Sequence, residues 1–352
     1  MPSNKARIKD IALLAGVSIG TVDRVIHERG EVSEKTRQKV KSILKETNYS
    51  PNVMAQVLKS KKKYHFVSLL PEPAEDNSFW CKHPVGMNRA IEELNPFNVT
   101  LTQITFDMFN EEDFQNKSSS VLNINPDGVL LAPIFKSESL AFCSRLYDEK
   151  IPFVFIDGFI EDTGFLAYIG VENFQSGRVA GQLIDMVTPV HEDILIINLA
   201  RNIKNVQHLN NRTQGFLSFF EEPIKKEGKI VNINIPDPTY KSVKRALDKI
   251  FKKNPGIGSI FISGSKSYLI ALYIEERGLK SINLIGYDLL ALNVKYLKSG
   301  TTRFLIGQRP DEQSYKGVKK LFEFLSLNKV PEKMEYLPID IVTSENVDFF
   351  LK

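Results

Sequence analysis

The feature that most constrains this chain lies between Arg7 and Ser60, which read RIKDIALLAGVSIGTVDRVIHERGEVSEKTRQKVKSILKETNYSPNVMAQVLKS. Two short apolar patterns of helical period meet there at Ala15-Gly16-Val17-Ser18. Ile8, Ile11, Ala12 and Ala15 share a face before the turn, and Val22, Val25 and Ile26 share one after it. Gly16 falls where a helix ends with positive φ, a conformation glycine adopts without strain. Ser18 then suits the N-cap of the second helix. A helix, a tight glycine turn and a second helix make a helix-turn-helix. Val32-Ser33 opens a third pattern, with Val40, Ile43 and Leu44 on one face and lysines and arginines on the other.

Charge separates this stretch from the rest. Residues 1–63 hold 14 Lys and Arg against 6 Asp and Glu, whereas the remainder holds 32 against 36. A basic headpiece on a mildly acidic body fits a polyanion as partner for the head alone. In a helix-turn-helix the second helix enters the major groove, so double-stranded DNA is the expected polyanion.

Length and composition bound the remainder. A chain of 352 residues fits two or three domains and buries a sizeable core. No apolar run is long enough to span a bilayer. The N-terminal MPSNKARIKD has charge but no apolar segment of the signal-peptide kind, so a cytoplasmic, non-membrane protein is expected. Two cysteines, Cys81 and Cys143, make neither a disulfide framework nor a metal cluster.

Ser50-Pro51 reads as a helix restart, serine at the N-cap and proline at N1. Val53, Met54, Val57 and Leu58 face one side of a segment too short to be a stable isolated helix. A basic run, Lys59-Ser60-Lys61-Lys62-Lys63, follows as the linker. The expected domains are therefore 1–49, a helical headpiece; 50–63, a hinge and linker; and 64–352, the body.

From Tyr64 the period changes. Strand patterns fall at His65–Leu70, Asn98–Thr105, Gly128–Pro133, Pro152–Asp157 and Ala167–Val171. A second series falls at Asp193–Leu199, Lys229–Ile235, Ser259–Ser263, Asn283–Asp288 and Thr302–Gln308, with Tyr336–Val342 last. Helical patterns lie between, including Val85–Leu94, Gln175–Met186, Asn211–Phe220, Tyr240–Lys253, Tyr268–Glu276 and Glu312–Leu325. The alternation predicts an α/β body of parallel sheets in two similar lobes. A ligand then sits beyond the carboxyl ends of the strands, in a cleft between lobes.

The segments DIALLAGVS, TVDRV, VSEKTRQKV and NYSPNVMAQVL stand in the order and spacing of the lactose-repressor (LacI) family headpiece, which this stretch closely resembles. The body resembles the periplasmic-binding-protein-like effector domain of that family, in the branch akin to ribose-type sugar-binding proteins. Asn77-Ser78-Phe79-Trp80, FIDG at 155–158, Asn211 to Phe216, IGYD at 285–288 and IGQRP at 306–310 carry that resemblance. It implies DNA contacts from Arg7, Ser18, Ile19, Gly20, Thr21, Asp23, Arg24, Ser33, Tyr49, Asn52 and Ala55. It also implies a hinge helix ordered on DNA with Leu58 as its apolar wedge, and a homodimer on a pseudo-palindromic operator. Effector contacts are implied at Asn77, Phe79, Trp80, Asp157, Arg212, Asp288 and Gln308.

The chemistry of those body residues is independently readable. A sugar presents hydroxyls on its rim and C–H groups on its faces. Asp157 and Asp288 can each accept two hydroxyls, Arg212 offers a planar fork, Gln308 donates and accepts, and Phe79 and Trp80 can cover ring faces. Plainer roles compete: Trp80 as a core residue, the two aspartates as helix N-caps, Arg212 as a solvated helix residue. Arg212 would equally suit a carboxylate or phosphate, making a sugar acid or sugar phosphate the second ligand class. Two departures from the family pattern stand out. Gly264-Ser265 replaces an Asn-Asp pair after the strand ending at Ser263, and Gly158 replaces a basic residue.

The expected function is a DNA-binding transcriptional regulator controlled by a sugar-like effector. The alternatives are a transport-type sugar-binding protein and an enzyme on the same scaffold. There is no nucleophile elbow, Walker loop, dinucleotide glycine fingerprint or metal-spaced His/Cys set. His27, His65, His83, His191 and His208 are scattered. No catalytic residue, cofactor or metal is expected.

Overall fold

The computed structural model describes residues 6–26, 28–47, 49, 58, 61–73, 79–200, 206–221 and 227–351. It divides between Lys61 and Lys62 into two compact units.

The first unit contains α1 (Ile8–Ala15), α2 (Ile19–Ile26) and α3 (Glu34–Glu46). Gly16 closes α1 at φ 69°, with backbone N–H bonds returning to Ala12 and Leu13. Ser18 Oγ accepts from the Thr21 N–H at 3.1 Å, and Ser33 Oγ from the Thr36 N–H at 3.4 Å, each meeting an otherwise orphaned first-turn donor. Ile11, Ala12, Ala15, Val22, Val25 and Val40 form the core, with Tyr49 packed against it.

The second unit holds two six-stranded sheets. The first is built from β1 (Tyr64–Pro71), β2 (Val99–Phe106), β3 (Gly128–Leu131), β4 (Phe153–Ile156) and β5 (Ala167–Gly170). The second is built from β6 (Asp193–Leu199), β7 (Ile230–Ile235), β8 (Ile257–Ile262), β9 (Asn283–Tyr287) and β10 (Thr302–Gly307). Two further strands, β11 (Met334–Tyr336) and β12 (Asp340–Val342), join one sheet each. The orders are β11-β5-β4-β3-β1-β2 and β12-β10-β9-β8-β6-β7, and β12 alone runs antiparallel to its neighbour. Both lobes thus repeat one doubly wound order, with its switch point between the first and third strands of each lobe. Central strands such as β3, β4 and β8 are buried along their whole length, as parallel strands covered on both faces must be. The edge strands β2 and β7 carry exposed positions instead.

Helices cover the sheets: α4 (His83–Leu94), α5 (Glu111–Ile124), α6 (Lys136–Asp148), α7 (Asn173–Val187), α8 (Gln207–Glu221), α9 (Tyr240–Lys253), α10 (Ser267–Arg277), α11 (Ala291–Lys298) and α12 (Pro310–Leu327). No helix among the described residues is long and apolar enough to cross a membrane.

The sequence pattern at Tyr336–Val342 predicts one strand, and the structure corrects it to two. β11 pairs with β5 in the first sheet, and β12 pairs with β10 in the second. Pro338 lies between them, without an N–H to offer a ladder. This segment is the third of three crossings between lobes. The first joins β5 to α7 at 171–172, and the second joins β10 to α12 at 308–309.

Candidate functional site

Arg212 is the centre of the body site, and its position follows from a close approach of two helices. A Cβ on Gly177 of α7 would lie 2.0 Å from the Arg212 carbonyl oxygen of α8, and one on Gly215 would lie 1.9 Å from the Phe174 carbonyl oxygen. Only glycine permits that spacing. It lets Arg212 reach across the start of α7 while its residue is 2% exposed.

Each guanidinium nitrogen of Arg212 donates to the protein. Nε donates to Asn173 Oδ1 at 2.9 Å, Nη1 to the Ser263 carbonyl at 3.0 Å, and Nη2 to Gln308 Oε1. The guanidinium carbon stands 4.1 Å from the centre of the Tyr287 ring, a cation–π contact. Gln308 passes the polarity on, its Nε2 donating to Asp288 Oδ1 at 2.7 Å. Gln308 lies in the second crossing, so this chain of bonds runs into the connection between lobes.

Asp157 and Asp288 each follow a strand directly, β4 and β9, and both adopt left-handed backbone, φ 65° and 70°. Asn293 Nδ2 donates to the Tyr287 and Asp288 carbonyls, both at 3.0 Å. α11 is capped by Leu290, so Asp288 is not its N-cap. The Asp157 N–H donates to Gln313 Oε1 at 2.9 Å, and Gln313 Nε2 donates to the Gln308 carbonyl at 3.0 Å. Gln313, fully buried in the first turn of α12, therefore ties the end of β4 to the second crossing.

Burial pushes the Asp157 carboxyl up to about 6, against the pull of Arg212. It pushes Asp288 up to about 7, opposed by Arg212 and by the Gln308 hydrogen bond and reinforced by the charge of Asp157. His208, one turn before Arg212 on α8, is held at about 3 by burial and by the Arg212 charge, so it is neutral near pH 7.

The structure gathers Asp157, Arg212, Asp288 and Gln308 into this one network. Phe79 and Trp80 form a separate aromatic cluster around His83. Trp80 stacks on the imidazole with centroids 4.9 Å apart, and Phe79 lies edge-on to both rings at 5.1 Å. His83 Nδ1 meets Ser314 Oγ of α12, next to Gln313, so α12 bridges the two groups. Both aromatic residues are buried, and Trp80 also contacts a small cavity that Ser68, Met87 and Thr105 help to line. Asn77 lies outside the described residues.

In the first unit, the exposed side of α2 carries Ile19, Gly20 and Arg24, while Val22 and Val25 are buried. Thr21 Oγ1 pairs with Ser18 Oγ at 2.9 Å. Asp23 is half-buried and adds to burial in raising the Tyr49 phenol above its usual range. The Arg7 N–H donates to Asp10 Oδ2 at 2.8 Å, leaving the Arg7 residue exposed. Leu58 is exposed, while Asn52 and Ala55 lie outside the described residues.

Residues 7–52 match the bacterial regulatory proteins of the lacI family, and residues 67–329 match the periplasmic binding protein domain. The HTH-type transcriptional repressor PurR of Photorhabdus laumondii subsp. laumondii is 30% identical over 307 residues, 84% of each chain. This chain belongs to the LacI family. Among other LacI-type relatives, the ribose operon repressor of Lactococcus lactis subsp. lactis is 24% identical over 347 residues, 97% of each chain. A LacI transcriptional regulator structure from Bacteroides fragilis superposes with a TM-score of 0.77 at 30% identity, covering 82% of this chain and 99% of that one. The glucose-galactose binding protein GanP of Geobacillus stearothermophilus shares the fold at 22% identity and TM-score 0.70, covering 81% and 99%.

Sequence reasoning on this LacI-family chain misses Asn173, Ser263, Asn293 and Gln313. Their partners lie 39, 51, 5 and 156 residues away for the bonds Arg212–Asn173, Arg212–Ser263, Asn293–Asp288 and Asp157–Gln313. Gln313 carried one usable signal, an amide at the start of a helix that follows directly on Gln308-Arg309-Pro310.

Proposed function

We propose that this LacI-family protein is a transcriptional regulator whose affinity for an operator is set by a sugar-like small molecule bound in the body. It acts without catalysis or a cofactor, as a homodimer on a pseudo-palindromic site in the cytoplasm. Residues 1–49 read DNA, 50–63 form the hinge, and 64–352 bind effector and dimerise. The observation that carries the reading is the buried relay Arg212–Gln308–Asp288, with Asp157 beside it, in a chain that also holds a helix-turn-helix. Such a relay offers directed donors and acceptors at the strand ends where doubly wound sheets bind ligands.

Asp157, Arg212, Asp288 and Gln308 hold the ligand's rim in this reading, with Asn77 beside them and Phe79 and Trp80 toward its faces. Arg7, Ser18, Ile19, Gly20, Thr21, Asp23, Arg24, Ser33, Tyr49, Asn52 and Ala55 contact DNA, and Leu58 enters the minor groove. Gln308 supports the control mechanism because it sits in a crossing between lobes. A ligand that bonds it binds one lobe arrangement better than another, and only such a difference can alter DNA affinity. The Lactococcus relative represses a ribose operon, which makes a pentose the first probe.

The test is a thermal-shift screen of sugars and polyols. Hits are then titrated into wild type, Asp288→Ala and Arg212→Ala, followed by Trp80 fluorescence. Loss of a partner that leaves a buried polar group unpaired costs about 1–3 kcal/mol. An effector that binds all three proteins equally well places its site elsewhere.

A further inference from the structure

We infer that the body site selects against anions: it takes an uncharged, hydroxyl-rich ligand and rejects sugar acids and sugar phosphates, with Asp157 setting the choice. The inference rests on the carbohydrate reading of that site and narrows it.

Arg212 is the obvious anchor for a carboxylate or phosphate, but three of its five N–H groups are already committed to the protein. All three of its nitrogens donate to protein acceptors, Asn173, the Ser263 carbonyl and Gln308, and its face lies on Tyr287. Two N–H groups remain, one on each Nη, enough to meet a ligand hydroxyl, and an anion that drew more of the fork would have to displace a protein acceptor. Among the described residues, Arg212 is also the one cation acting on either aspartate.

The acceptors are in the opposite condition. Asp157 is 7% exposed, and its backbone N–H and carbonyl are both bonded, to Gln313 and to the Tyr168 hydroxyl. Its carboxylate has no hydrogen-bond partner among the described residues. Asp288, 5% exposed, has one carboxylate oxygen bonded by Gln308, leaving the other as acceptor. A buried carboxylate without a donor needs one brought to it, and hydroxyls supply donors where a carboxylate or phosphate supplies more acceptors.

Among the described residues, the wall beside Asp157 adds no compensating charge. Gly158 follows Asp157, and among the described residues a Cβ there would find only Pro133 Cγ, at 4.0 Å. Gly264, after β8, likewise brings no side chain to that strand end.

The full-length chain is titrated at pH 8 with matched sets: D-ribose and ribose 5-phosphate; D-glucose, glucuronate and glucose 6-phosphate; D-galactose and galacturonate. In any set that binds, the uncharged member is expected to bind at least tenfold tighter than its anionic partners. Asp157→Asn should narrow that ratio several-fold by improving the anionic member. Gly158→Lys, which leaves both aspartates in place, should narrow it too. An anionic member that binds as tightly as its neutral partner overturns the inference, as does a ratio unmoved by both substitutions. Failure of every set to bind is a different result, and it overturns the carbohydrate reading beneath it.

Discussion

Arg309 grips Asp340 through two parallel hydrogen bonds, Nε to Oδ2 at 2.7 Å and Nη2 to Oδ1 at 2.6 Å. Arg309 belongs to the second crossing between lobes and Asp340 opens β12, directly after the third. The Leu337 N–H donates to the Gly170 carbonyl at 2.8 Å, which ties the third crossing to the end of β5, before the first. The three connections are thus fastened to one another beside Gln308. Arg309→Ala leaves a largely buried carboxylate without its fork and is expected to cost about 1–3 kcal/mol. Ligand affinity should fall with it, because Gln308 is the adjacent residue. Arg309→Lys keeps the charge but not the planar pair, so it should recover only part of the loss. Thermal denaturation and titration of the three proteins check this; an unchanged melting temperature in Arg309→Ala shows that the pair does not hold the crossings.

Asp157 and Asp288 make stability depend on pH in a defined direction. Burial raises their carboxyls to about 6 and about 7 from an ordinary 3.8. Between pH 4 and 7 the folded chain therefore keeps protons that the unfolded chain has lost, and stability falls as pH rises through that window. His208 stays neutral above about pH 4. Asp288→Asn is expected to stabilise the ligand-free protein by about 1–3 kcal/mol at pH 8 and by little at pH 5. A neutral polyol that donates to these carboxylates should bind tighter at pH 8 than at pH 5. Melting curves and titrations at the two pH values decide both points, and an effect of Asp288→Asn that is equal at both pH values refutes the account.

The parts legible in the sequence are those written in local chemistry. Gly16 and Ser18 mark one helix end and the next helix start, and the structure gives each its expected cap. Asp157, Asp288 and Gln308 are legible because each stands one residue beyond a strand of buried apolar side chains. Gln313 and Asn173 are not, since each matters through a bond to a residue distant in sequence. Tyr336–Val342 misleads for a related reason. Leu337 and Ile339 have strand-like composition, but with Pro338 between them they cross from one sheet to another, and pairing partners are not visible in a single segment.

Gly177 sets the position of Arg212 through the close approach of two helices. Its absent side chain leaves room for the Arg212 carbonyl oxygen, 2.0 Å from where a Cβ would stand, and backbone cannot yield as a flexible side chain can. Gly177→Ala should force α7 and α8 apart, at a cost of about 1–3 kcal/mol. It should also weaken ligand binding through Arg212 and Asn173, which face each other across that contact. A crystal structure or titration showing an unmoved Arg212 and unchanged affinity contradicts this.

Leu58 is an exposed apolar residue in the segment between headpiece and body. As a minor-groove wedge it would unstack a base step and kink the operator. Leu58→Ala is expected to lose operator affinity while effector binding persists. Equal operator affinity in wild type and Leu58→Ala removes the hinge assignment and leaves a solvated linker.

In the proposed DNA complex, Arg24 carries the base readout of α2. Val22 and Val25 point into the headpiece core, which leaves Ile19, Gly20 and Arg24 on the exposed side of the helix. Gly20 contributes no side chain, so discrimination falls to Ile19, which can meet a thymine methyl, and to Arg24, which can bind guanine O6 and N7 together. Asp23, beside Arg24, is half-buried, and its charge adds to burial in raising the Tyr49 phenol. Arg24→Ala should weaken specific binding by about 1–3 kcal/mol per half-site and change non-specific binding much less. An operator is first selected from a randomised duplex library with the wild-type chain. Affinities of both proteins are then measured at one fixed salt concentration, since phosphate contacts alone make binding steeply salt-dependent. Scrambled duplex serves as competitor. If Arg24→Ala discriminates operator from scrambled DNA as well as wild type does, the bases are read by other residues.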